Sequence, residues 1–175
     1  LSRSVATWGN TVAAVLKDCD IPAHVESNTG YFSSYEIQVI LSMLRILDNP
    51  LQDIPMAAVL ASPIVGMDDE ELAQIRSAFK GVSFAQAALS AMAGEDGYED
   101  EKLKAFALVF ERLRGAVADT PIHELLYMML DETGFYRYAS AMPAGKRRRQ
   151  NIDMLIEMTA AYEKTSYKGL VLFFM

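Results

Sequence analysis

The chain has 175 residues, 51% of them apolar, and carries 16 basic against 23 acidic residues for a net charge of -7. That length and apolar fraction suffice for one folded domain with a core, or a small domain with an extra piece attached. The negative balance does not favour general attraction to nucleic acid or to an anionic membrane, so any nucleic-acid contact has to be local.

The single cysteine, Cys19, has no partner for an internal disulfide. With no signal-like segment, the chain reads as intracellular, and Cys19 as a packing residue near a helix end. The absent initiator methionine and the apolar ending "LVLFFM" lead us to expect a piece of a longer polypeptide. "GLVLFFM" is too short to span a membrane.

In chain order, apolar residues recur three and four apart almost throughout, which predicts a mainly α fold of several helices with a short βαβ-like start. "LSRSV" reads as a strand, Trp8, Val12, Val15 and Leu16 as one helix face, and Pro22 with Ala23, His24 and Val25 as a second strand. His24 there is a surface or hydrogen-bonded structural residue. The next helix is expected to open at a capping box between Ser33 and Glu36. Ile37, Ile40, Leu41, Leu44 and Leu47 form its stripe, and Asn49-Pro50 stops it, because a residue before proline leaves the helical region.

"DIPMAAVLASP" predicts a short helix closed before Pro63. Asp68 with Glu71, then Ser83 with Gln86, predict two more capping boxes. "AGEDGYEDEK" is the most polar stretch and reads as an exposed loop, followed by a helix bearing Leu103, Phe106, Phe110 and Leu113. Thr120-Pro121 predicts a cap and first helical residue. Ile122, Leu125, Leu126, Met129 and Leu130 then face inward, and Gly134 is a natural stop. A last helix shows Ile152, Leu155, Ile156 and Thr159. No fixed-period repeat is present.

The sequence holds no glycine-rich phosphate loop ending in Lys-Ser or Lys-Thr and no paired His/Cys spacing, so neither a catalytic nor a metal residue is expected. "HELLY" at His123 lacks the second histidine of a zinc pair, since Tyr127 stands there. The acid run from Asp68 to Glu71 suits a helix start, where negative charge is favoured. "GKRRRQN" is the one basic cluster: Lys146, Arg147, Arg148 and Arg149 have no acidic partner nearby in sequence. The turn suits either a phosphate backbone, an acidic protein surface or plain solvation. Phe135, Tyr136 and Tyr138 just before it either close a helix corner or stack on bases.

The ordered set Tyr31 and Phe32, Glu36 and Ile37, Leu44 and Arg45, Asn49 and Pro50, Asp53, Pro63 and Gly66 resembles a region of UvrD/PcrA-like superfamily 1 DNA helicases. There the second motor domain, 2A, is interrupted by the accessory 2B domain. "DIPMAAVLASPIVGMDDEEL" and "GKRRRQN" are most similar to AddA-type subunits of bacterial helicase-nucleases. This sequence departs from the helicase pattern at Val65, where a basic residue is usual, and at Met67-Asp68, where a second glycine is. Of the N-terminal helicase motif only Arg3 carries over.

The resemblance implies that residues 1–30 close domain 2A as strand-helix-strand and that residues 31–175 form a helical 2B domain. It implies a cytoplasmic parent, an ATP-dependent DNA helicase and exonuclease acting in double-strand-break repair and recombination. ATP and Mg would bind outside this chain, and an AddB-like subunit would be its partner. Lys146, Arg147, Arg148, Arg149, Gly66 and Arg3 are then the candidate DNA contacts. Tyr31, Phe32, Glu36, Asn49, Pro50, Asp53 and Pro63 are structural motif residues. The alternative is a stand-alone helical protein-interaction module without a DNA role.

Overall fold

A helix with a wide apolar face is stable only when other elements cover that face, and "YEIQVILSMLRILD" is such a segment. In the computed structural model, which describes residues 15–16 and 30–163, it forms α1 (Tyr35–Asp48). Ten of its fourteen residues are buried, among them Val39, Met43 and Ile46, which lie outside the expected single stripe. The buried face is thus wider than the stripe and leaves only Tyr35, Gln38, Arg45 and Asp48 outside it. The reason is that α1 is packed on several sides, by α2 (Asp53–Leu60), α5 (Glu101–Ala116) and α8 (Gly145–Glu163).

The remaining elements are α3 (Asp69–Ala78), α4 (Phe84–Met92), a 3-10 turn at Glu95–Gly97, α6 (Ile122–Thr133) and α7 (Phe135–Ala141). Among the described residues the structure is helical with no strand, the mainly α fold that the periodicity predicts. The βαβ-like start, with Cys19 and His24, lies outside the described residues, as does the C-terminal "GLVLFFM". Of the expected first helix only Val15 and Leu16 are described; both are helical and Val15 is exposed. No described helix is long and apolar enough to cross a membrane.

The punctuation follows the sequence at most corners. Asn49 leaves the helical region, its N–H donating to the Arg45 carbonyl at 2.8 Å, and its side chain accepts from the Leu51 N–H at 3.0 Å. Both reciprocal capping boxes form, Asp68 with Glu71 and Ser83 with Gln86. Gly134 ends α6 in the left-handed region. Leu103, Phe106, Phe110 and Leu113 are buried along α5, and Ile152, Leu155, Ile156 and Thr159 along α8.

Two helix starts differ from expectation. α1 opens after Ser34 without a side-chain cap: the Ser33 hydroxyl donates to the Gly30 carbonyl at 3.2 Å and that of Ser34 to Tyr31 at 2.6 Å. Glu36 does not reach back to Ser33, because its carboxylate is engaged by α8. α6 opens after Pro121 rather than with Thr120 as side-chain cap, and the Ile122 N–H donates instead to the Glu163 carboxylate, which also meets His123 Nδ1. In both cases a distant partner supplants the local one, since a charge-assisted bond to a partly buried group outweighs a solvated cap.

Candidate nucleic-acid interface

The basic cluster is the first turn of α8, and its position is fixed by a glycine and an arginine. Ala144 adopts a positive φ of 58°, and its carbonyl accepts the N–H groups of Arg147 at 2.9 Å and Arg148 at 3.1 Å. Gly145 follows where α8 meets the end of α7, and a Cβ there would lie 1.9 Å from the Ser140 carbonyl oxygen. Only glycine fits this corner.

The four cations then divide. Arg148 turns inward, donating through Nε to the Pro143 carbonyl at 3.1 Å and through its guanidinium to Glu36, which is 2% exposed. The other Glu36 oxygen accepts from Asn151 Nδ2 at 2.6 Å, and the Tyr31 hydroxyl donates to the Asn151 carbonyl at 2.8 Å. Two motif residues, Tyr31 and Glu36, therefore clasp the turn that carries the cations. Burial alone pushes the Glu36 carboxyl up, but the bonds from Asn151, its own N–H and Arg148 outweigh it and hold the group below its ordinary value. Burial, and next the Glu36 charge, push the Tyr31 hydroxyl well up.

Lys146, Arg147 and Arg149 remain exposed, and among the described residues none makes an ion pair. Positive charge at a helix N-terminus opposes the helix dipole, so this turn sits in an electrostatically unfavourable place until an anion arrives. Around it lie Tyr35 and Tyr138, 43% and 46% exposed. Burial raises the Tyr35 hydroxyl above its ordinary value, as does Tyr138, with Arg148 opposing. Tyr136 is half-buried and donates to Asp153 at 3.1 Å, while Phe135 is buried and closes the α6–α7 corner.

Gly66 lies elsewhere, in a tight turn with φ 75°. The amide of Ile64 donates to the Ser62 hydroxyl, those of Val65 and Gly66 to the Ser62 carbonyl, that of Met67 to Leu60 and that of Asp68 to the Glu71 carboxylate. Lys102 donates to the Gly66 carbonyl at 2.9 Å and to Glu71 at 2.6 Å. Every amide from Ile64 to Asp68 is thus engaged inside the chain, and the flanking carboxylates repel phosphate.

The other motif residues are structural in placement. Asp53 accepts from the Ala85 N–H at 2.9 Å, capping α4 from 32 positions away. Pro50 is buried and Pro63 half-buried. The Phe32 ring meets Tyr31 edge-on at 5.0 Å. Arg3 lies outside the described residues. No group of three or more His, Cys, Asp or Glu side chains that would hold a metal exists among the described residues. Residue patterns single out neither Tyr35 nor the inward turn of Arg148 with Asn151. The three-residue step from Arg148 to Asn151 places both on one helix face, which is the available signal.

No protein-family model matches the chain. It is 38% identical over 175 residues to an ATP-dependent helicase/nuclease subunit of the AddA type from Oceanobacillus iheyensis, covering 99% of this chain and 14% of that protein. The protein of the same description from Anoxybacillus flavithermus is 42% identical over 156 residues, 88% of this chain and 13% of its own length. That from Bacillus cytotoxicus is 39% identical over 170 residues, 95% and 14% respectively. The chain therefore spans about one seventh of the length of these relatives.

Proposed function

We propose, from the premise that the chain belongs to the AddA-type family of ATP-dependent helicase/nuclease subunits and corresponds to one segment of its members, that it is the accessory region of such a protein. Residues 1–30 end the second motor domain and residues 31–175 form the helical accessory domain. The parent is an ATP-dependent, cytoplasmic DNA helicase and nuclease of double-strand-break repair and recombination, binding ATP and Mg in parts beyond these residues. This segment positions duplex DNA, or an AddB-like partner, while the motor moves on single-stranded DNA.

The observation that carries the DNA contact is the exposed trio Lys146, Arg147 and Arg149 at the N-terminal end of α8, in a chain whose net charge is -7. Arg148 serves the clasp instead, and the engaged amides around Gly66 leave the phosphate contact to the α8 turn. A protein partner is favoured at a different place, the α1–α2 corner, where Leu51 and Ile54 are 56% and 84% exposed.

The test is binding of a forked duplex by the full-length polypeptide across a salt series. Arg147→Glu with Arg149→Glu is expected to lower the slope of log affinity against log salt by about 2, one per lost phosphate contact. An unchanged slope would remove the DNA contact and favour a protein-interaction role.

A further inference from the structure

The cationic turn of α8 has uncovered aromatic rings beside it. Phe32, Tyr35 and Tyr138 are 43%, 43% and 46% exposed; of the other described aromatic residues only Tyr127, on α6, is exposed, at 57%. The clasp joins the segments that carry Tyr35 and Tyr138: Arg148 ties the Pro143 carbonyl, just past α7, to Glu36, the residue after Tyr35. Tyr138 and Arg148 both act electrostatically on the Tyr35 hydroxyl.

Two of the rings are braced from within. Tyr138 lies nearly parallel to the buried Phe135, centroids 6.3 Å apart and planes 17° from parallel. Phe32 packs against Tyr31, whose hydroxyl is held by the Asn151 carbonyl. A ring held in place by a neighbour loses little entropy when a second flat group settles on it.

Cations take phosphates, and exposed rings take the faces of bases. A duplex keeps its base faces stacked internally, so the rings select a strand with unstacked bases. An acidic peptide would satisfy the cations and leave the rings bare. We infer that the surface made by Phe32, Tyr35 and Tyr138 beside Lys146, Arg147 and Arg149 binds single-stranded nucleic acid, with bases stacked on the rings and phosphates on the cations. The inference rests on the reading of the α8 turn as a phosphate contact and assigns that contact to an unpaired strand, such as the arm of a fork, rather than to the duplex.

A single strand bearing 5-iodouracil, irradiated on the full-length polypeptide and mapped by mass spectrometry, tests it locally, independent of binding elsewhere on the protein. The expected adducts lie on peptides holding Tyr35, Tyr138 or Phe32. Their yield is expected to fall at least about tenfold in Tyr35→Leu with Tyr138→Leu, which removes two stacking rings, and to persist in Tyr35→Phe with Tyr138→Phe. Adducts confined to other regions overturn the stacking surface. If the salt slope on forked duplex still responds to the arginine variants, the phosphate contact survives that outcome; if it does not, both readings fall.

Discussion

Glu36 on the first turn of α1 and Arg148 on the first turn of α8, 112 positions apart, form an ion pair in which the carboxylate is 2% and the guanidinium 23% exposed. Removing one member strands the other in a place made for a pair. Glu36→Ala is expected to lower the unfolding free energy by about 3 kcal/mol, read by urea denaturation. A loss under about 0.5 kcal/mol, the range of ordinary surface changes, would show that the pair does not hold the two helices.

The same pair gives an acid dependence whose sign follows from the carboxyl. Glu36 is held below its ordinary value of 4.5, so the folded chain takes up this proton less readily than the unfolded one. Its contribution is complete above pH 4.5 and is lost as pH falls through the lower folded value. The stability gap between wild type and Glu36→Gln should therefore shrink below pH 4.5. A gap that stays constant from about pH 7 to about pH 3 would contradict this.

Two glycines in helices make a contrasting pair. Gly145→Ala places a methyl group against the Ser140 carbonyl and is expected to cost about 1–3 kcal/mol through overpacking. Gly115, inside α5, has open space around it. Gly115→Ala should stabilise by about 0.5–1 kcal/mol. Thermal unfolding of both variants reads the two signs.

Asp53 acts at a distance on α4. The amide of Ala85, foremost among its contacts, holds its carboxyl below the ordinary value, with burial opposing. Its cap is thus present at neutral pH and lost in acid. In Asp53→Ala, hydrogen exchange at the Ala85 amide should accelerate while amides in the middle of α8 keep their protection. Equal acceleration in both places would mean global loosening rather than a lost cap.

Residue patterns alone were enough for helix type, for Asn49 and Gly134 as stops, and for the capping boxes at Asp68 and Ser83, because each depends on neighbours within about four positions. The Ser33–Glu36 box, equally local in pattern, does not form, because its glutamate has stronger partners far away, which local spacing does not record. The basic cluster was legible as a cluster, yet Arg148 reads like Arg147 and Arg149 in the sequence.

The sequence by itself determined a mainly α chain with one local concentration of positive charge, since periodicity and charge are properties of neighbours along the chain. Tertiary structure decided which arginine turns inward, which rings stay uncovered and which helix Asp53 caps. Those outcomes depend on contacts between segments as far as 112 positions apart, where packing rather than propensity selects the partner.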